Sequence, residues 1–218
     1  MSKIGILGSG IVGQTLAIGL RDKGHTVKIG SRSSDKLASF TKSTGVANGT
    51  TADVARWADY AVLCVKGAGA VNAVREAGPE NLRGKVVIDT TNPITDEPPE
   101  DGVVRMFTGP NSSLMEQLQT TYPDVHFVKA FNSVGAALMV NPRFSTRPTM
   151  FYCGNDAGAK AIVRGLLEQC GWEPADMGTA RAARALEPLV QLWCIPGFRE
   201  NRWADHAFHV LNTEASKV

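Results

Sequence analysis

The sequence predicts an α/β protein of the Rossmann type, a doubly wound, mostly parallel sheet that ends in a short helical segment. Three observations carry that expectation. Short apolar strands alternate with helical patterns along most of the chain, joined by short connections. A Gly-x-Gly-x-x-Gly turn, Gly8 to Gly13, stands between the first strand and the first helix. At 218 residues the chain can fill one sizeable core and is too short for two large domains.

The elements follow in order. Residues 3–7 read as a buried strand, 14–23 as a helix and 26–30 as the second strand, a βαβ-sized unit around the glycine turn. In it Gly8 allows the tight turn, Gly10 lets the backbone approach a pyrophosphate, and Gly13 lets the helix pack on the strand. The helix N-terminus offers N–H groups and partial positive charge to phosphates. Next come a helix over 35–44 stopped by Gly45, a short strand at 46–47, and a helix over 51–58 with Thr51 as its cap. Residues 59–65 form an apolar strand, 66–69 a glycine-containing turn, 70–77 a helix and 85–89 a strand. Residues 94–110 carry prolines and mixed charge and read as a long loop at the active face. A helix over 111–122, strands at 126–131 and 149–153, a helix over 157–170 stopped by Gly171, and a strand at 172–177 complete the sheet. Residues 1–178 are thus expected to form a dinucleotide-binding Rossmann domain, whose cofactor the end of the second strand selects. Residues 179–218 form a C-terminal helical segment that packs on the domain or on a dimer partner. In it a helix over 180–193 is expected to break at Pro196-Gly197, with a second helix over 200–211 carrying Trp203 and Phe208.

The end of the second strand chooses the cofactor. A site for NAD places Asp or Glu about twenty residues past the glycines, to hold the ribose 2′-hydroxyl. Here Ser31, Arg32 and Ser33 stand at that place, with no acid before Asp35 and with Lys36 one turn further on. A guanidinium pairs with a 2′-phosphate in a fixed fork, and the serines donate to it. The alternative is a solvated arginine in a loop with a serine capping a helix. The glycine turn upstream favours NADP(H).

Ligands of open α/β sheets bind outside the carboxyl ends of the strands, where strand order reverses. Val65, Lys66, Asn92, Pro93, Ala130 and Asn132 are therefore expected around the nicotinamide, with the two asparagines offering amides to the carboxamide or satisfying local backbone groups. No general acid–base pair stands in these segments, so no catalytic residue is assigned. The Tyr with Lys four residues on, which short-chain dehydrogenases use, is missing after Tyr60, Tyr122 and Tyr152. Lys129 either reaches an anionic ligand or snorkels to the surface. Glu187 faces water or caps another element. His206 and His209, a turn apart on the expected last helix, read as a solvated face, so no metal site is assigned. Few titratable groups around a nicotinamide suit hydride transfer to a flavin-type ring, where cofactors supply the chemistry and protein supplies orientation.

Composition excludes other classes. A net charge of +2 with 20% charged residues gives no reason to expect nucleic acid or a membrane surface. No apolar run approaches the length of a membrane span, and the first residues lack a signal-peptide build. Cys64, Cys153, Cys170 and Cys194 are scattered and read as buried reduced thiols, which points to the cytoplasm.

Residues 3–13, Gly30-Ser31-Arg32, Val128-Lys129-Ala130-Phe131-Asn132 and Leu186-Glu187-Pro188-Leu189 resemble the coenzyme F-420-dependent NADP reductase family. That family includes the cytoplasmic reductase domains of six-transmembrane metalloreductases, which use a flavin and reduce iron or copper. The resemblance spans nearly the whole chain. It implies a Rossmann domain with a small helical tail, usually a homodimer, and reversible hydride transfer between NADPH and the deazaflavin. Under it Gly8, Ser9, Gly10, Ile11 and Val12 match the pyrophosphate turn. Ser31, Arg32, Ser33 and Lys36 match the 2′-phosphate pocket, with Ser33 where close relatives often have a second Arg. Residues 132–134 and 189–193 match the deazaflavin side more loosely. The expectation is an NADP(H)-dependent oxidoreductase whose small-molecule acceptor is coenzyme F-420. The alternatives are an NADPH-dependent flavin, ferric or imine reductase, and a non-enzymatic NADPH-binding redox sensor.

Overall fold

Eight strands among the described residues form one sheet: β1 (Lys3–Leu7), β2 (Thr26–Ser31), β3 (Ala47–Thr50), β4 (Tyr60–Leu63), β5 (Val86–Asp89), β6 (His126–Lys129), β7 (Thr149–Gly154) and β8 (Glu173–Asp176). The structure is a computed structural model describing residues 1–213, apart from the Ser34 side chain; residues 214–218 of the expected C-terminal segment lie outside the described residues. The strand order is β3-β2-β1-β4-β5-β6-β7-β8. Neighbours from β3 to β6 are parallel, β7 runs antiparallel to β6, and β8 is parallel to β7.

The strands read as unbroken apolar runs because both faces of the sheet are covered. Side chains alternate between the faces. Ile4, Ile6, Val62, Ile88 and Val128 join one core with residues of α1 (Ile11–Asp22) and, later in the chain, α7 (Ala157–Gln169). Leu7, Ala61, Leu63, Val87 and Phe127 join the other, beneath α3 (Thr51–Trp57), α4 (Ala70–Ala77) and α6 (Leu114–Thr121). The short α2 (Ala38–Thr44) follows a 3-10 turn at Ser34–Leu37, so the expected helix over 35–44 splits in two, and Gly45 ends it at φ 75°. The single turn α5 (Pro79–Leu82) leads into β5.

Three boundaries differ from expectation for local reasons. α1 begins at Ile11, not Gln14, because Gly10 serves as its N-cap and the glycine turn runs into the first helical turn. The cap of α3 is Thr50 rather than Thr51: its Oγ1 accepts the Asp53 N–H at 3.1 Å. α6 begins at Leu114, because Ser113 caps it: its Oγ accepts the Glu116 N–H and its hydroxyl donates to the Glu116 carboxylate.

The tail departs most. α8 (Ala183–Leu186) and α9 (Leu189–Glu200) pack on the sheet domain, and Pro196 lies inside α9 instead of breaking it. Gly197 is not a breaker either. Its missing side chain makes room for the Trp203 ring, as Gly135 makes room for Trp193. Asn201, at φ 55°, ends α9. The helix expected over 200–211 is absent among the described residues, and that stretch runs back over the protein as irregular chain. Aromatic contacts hold it, with His206 stacked on Trp193 at 5.1 Å, and Thr149 donates its N–H to the Phe208 carbonyl. His206 and His209 therefore share no helix face. His206 instead places one ring nitrogen 2.8 Å from the Trp193 carbonyl and the other 3.0 Å from Asp205.

Candidate functional site

Strand order runs opposite ways on the two sides of the β1–β4 pair, and the site opens at their carboxyl ends. β1 continues into Gly8, whose φ of 134° only glycine adopts with ease. A Cβ there would also strike the Cys64 carbonyl just past β4, and one on Gly13 would strike the Gly8 carbonyl. A Cβ on Gly10 would meet nothing within 4 Å, since that residue faces open space. Gly8 and Gly13 answer close backbone approach; Gly10 keeps a cradle clear. No acid sits in the first turn of α1 and no side chain caps it, so its N–H groups and partial charge are available to an anion.

Two cavities meet at this turn. The first, about 410 Å³, is lined by Gly8, Ser9, Gly10, Ser31, Arg32 and Lys36, with Thr51 and the α4 face of Asn72, Ala73 and Glu76 opposite. The second, about 440 Å³, is lined by Gly10, Ile11, Val12, Thr91, Asn92 and Ile94. Cys64, Val65 and Lys66 border both. Ser31 donates to the Ser9 hydroxyl at 3.3 Å and so ties the end of β2 to the glycine turn. Arg32 and Lys36 are exposed and make no ion pair among the described residues. Lys66 pairs with Asp96 at 2.6 Å across the rim, with both side chains more than four-fifths exposed. A basic first cavity, an uncapped helix start and a bare Gly10 suit a dinucleotide bearing a 2′-phosphate. The apolar Ile11, Val12 and Ile94 suit a flat ring in the second.

Beneath the second cavity lies a buried charged cluster. Lys129, fully buried on β6, places Nζ 2.6 Å from Asp89 Oδ2 and 2.9 Å from Glu187 Oε1, and donates to the Thr91 carbonyl at 2.7 Å. Asp89 Oδ1 accepts the Thr91 N–H at 2.9 Å and its hydroxyl at 2.7 Å. Glu187 accepts the Leu114 and Met115 N–H groups at the start of α6. Burial works against the Lys129 ammonium, but the Asp89 and Glu187 carboxylates outweigh it and raise its pKa. Lys129 thus neither reaches an outside anion nor snorkels, and Glu187 caps another element rather than facing water.

The remaining expected residues fall as follows. Gly13 is buried inside α1. Ser33 is exposed beside the first cavity without lining it, and its N–H meets Ser31 Oγ at 3.4 Å. Pro93 lines neither cavity and accepts the Phe107 N–H on its carbonyl. Ala130 and Asn132 are buried beneath the second cavity rather than in its wall. Asn132 donates to the Leu186 carbonyl at 2.8 Å and to Asn92 Oδ1, while Asn92 donates to the Asn132 carbonyl at 2.7 Å. Asn132 Oδ1 itself is buried with no hydrogen-bond partner among the described residues. Between these residues Phe131, bulky and buried, holds φ at 61°, a costly conformation that the surrounding bonds enforce. Sequence reading missed Thr51, Asn72 and Glu76 as lining residues; the spacing of 72, 73 and 76 along α4 was the available signal for the first cavity. All four cysteines are buried and free, and burial pushes the Cys64 and Cys153 thiols up to about 12 and those of Cys170 and Cys194 to about 11. No group of metal-ligating side chains occurs among the described residues.

Comparisons with known proteins bear on the same region. The family model described as NADP oxidoreductase, coenzyme F420-dependent, matches residues 3–93. A solved structure from Arthrobacter sp. FB24, assigned as an F-420-dependent NADP reductase, is 34% identical, with a TM-score of 0.90 over 97% of this chain and 100% of that one. The F-420-dependent NADP reductase of Methanocaldococcus jannaschii is 28% identical over 87% of this chain and 90% of its own. Metalloreductase STEAP3 of Rattus norvegicus is 29% identical over 89% of this chain, which spans 38% of that protein's length.

Proposed function

The chain belongs to the family of coenzyme F-420-dependent NADP oxidoreductases, and on that premise we propose that this NADP-dependent oxidoreductase exchanges hydride with the deazaflavin coenzyme F-420. The observation that carries the reading is the pair of cavities that meet at Gly10, Val65 and Lys66, one basic and one apolar. NADPH, when bound, supplies the hydride. The residues of the chain bind, orient and exclude water. Arg32, Lys36, Ser31 and Ser33 hold the 2′-phosphate, and the turn from Gly8 through Val12 to Gly13 holds the diphosphate. Val65, Lys66 and Asn92 surround the nicotinamide, and Pro93, Ala130 and Asn132 support that wall, Asn132 through its bonds with Asn92. Ile11, Val12 and Ile94 keep water from the ring face. The acceptor is a small molecule, and the protein works as a cytoplasmic homodimer whose tail from residue 179 onward belongs to the acceptor side.

The likeness to STEAP3 favours a second reading, in which a flavin replaces the deazaflavin and passes electrons to a metal ion. One experiment separates them. NADPH oxidation is followed by absorbance with coenzyme F-420, FMN, FAD and a ferric chelate in parallel. The proposal expects turnover with the deazaflavin at least tenfold above any other acceptor, about 1.4 kcal/mol of discrimination. Turnover with FMN or FAD plus ferric ion, and none with F-420, would replace it by the second reading.

A further inference from the structure

We infer that Lys129, Asp89 and Glu187 are positioning residues for the nicotinamide half of the cofactor, acting through Thr91 and Asn92; this rests on the NADP(H) reading above and goes beyond it. Every polar backbone and side-chain group of Thr91 is taken by the cluster: Lys129 holds its carbonyl, and Asp89 holds its N–H and hydroxyl. Thr91 and the following Asn92 line the second cavity. On the other side, Glu187 fastens the same lysine to the start of α6, and the adjacent Leu186 carbonyl receives Asn132. The cluster thereby joins three segments distant in sequence, 89–92, 129–132 and 186–187, into one rigid floor. None of its members lines the first cavity.

Stability alone does not account for this arrangement. Buried charges cost desolvation, and packed apolar side chains of similar volume often serve as well or better. The two carboxylates also draw on donors outside the lysine: Glu187 takes the Leu114 and Met115 N–H groups at the α6 N-terminus, and Asp89 takes the N–H and hydroxyl of Thr91. What apolar residues cannot do is fix the direction of the Thr91 peptide on both sides. A misplacement of an ångström at a reacting centre is expensive for transfer between two rings.

The test compares wild type with Lys129→Met and with Lys129→Met/Glu187→Gln, the second of which removes one of the two carboxylates that Lys129→Met alone leaves without their lysine. NADPH is titrated while the emission of the reduced nicotinamide is read, since that emission strengthens when the ring is held still. Adenosine 2′,5′-bisphosphate is titrated separately to read the other half. Positioning predicts that Kd for both ligands stays within roughly threefold of wild type, that emission at saturation falls at least about twofold, and that kcat falls at least about tenfold at unchanged KM for NADPH. Wild-type emission at saturation, with only the unfolding midpoint lowered, would reduce the cluster to a structural role and overturn the inference. A parallel loss of affinity for NADPH and for the bisphosphate would do the same. Thr91→Val, which removes only the hydroxyl held by Asp89, carries the same expectation and decides the matter if both charge variants fail to fold. The emission needs no acceptor, so a wrong deazaflavin assignment leaves it readable, whereas a wild type that does not bind NADPH overturns the underlying reading instead.

Discussion

The two halves of the site are built by opposite means. The half formed by residues 8–13 and 31–36 relies on backbone geometry and on exposed side chains, with bare glycine at Gly10 and the cations of Arg32 and Lys36 lying open. The half formed around residues 89–92 and 129–132 is tied from beneath by buried charge and buried amides. The difference matches two tasks. A phosphate anchor tolerates flexible partners, because Coulomb attraction and several N–H donors average over small displacements. A hydride donor must be aimed, and aiming requires a floor that does not move.

The comparison can be broken at several points. The largest effect belongs to Gly8→Ala, which combines a left-handed backbone with a clash against the Cys64 carbonyl. We expect it to cost about 3 kcal/mol or more in urea unfolding. Gly10→Ala, which meets no protein atom, should fold with wild-type stability and lose NADPH binding.

Lys129→Met should cost about 3–5 kcal/mol, because it strands two buried carboxylates. It carries a pH signature too. The Lys129 pKa is raised in the folded state, so its contribution is complete below the ordinary lysine value of 10.5 and is lost as pH rises through the raised value. The stability gap between wild type and variant, measured by urea unfolding at several pH values, should therefore be constant near neutrality and narrow in strong alkali. A gap that widened there would contradict the buried pairing. Asp96→Ala, at the exposed rim, should change stability by less than about 1 kcal/mol, as exposed pairs do.

Legibility in the sequence follows the same division. The glycine turn, the alternation of strand and helix, and Ser31-Arg32 in place of an acid are local signals, and the sheet and first cavity follow from them. The floor of the second cavity was not legible in that way. Lys129 looked like a residue bound for a ligand or the surface because its partners, Asp89 and Glu187, lie 40 and 58 positions away. The parallel pairing of β5 with β6 sets Asp89 against Lys129, and the chain at the end of α8 brings Glu187 to the same lysine. The tail misled for a related reason. Pro196 and Gly197 carry strong local preferences, yet the packing of Trp203 against Gly197 and the capping by Asn201 decide where α9 ends.

The most direct test of the division is a titration of adenosine 2′,5′-bisphosphate and of adenosine 5′-diphosphate into wild type and Arg32→Ala. The account predicts that wild type prefers the bisphosphate by roughly 10–100-fold, and that Arg32→Ala removes most of that preference, Lys36 and the serines keeping the rest, while leaving the diphosphate affinity unchanged. Equal loss of both ligands in the variant, or no preference in wild type, would contradict it.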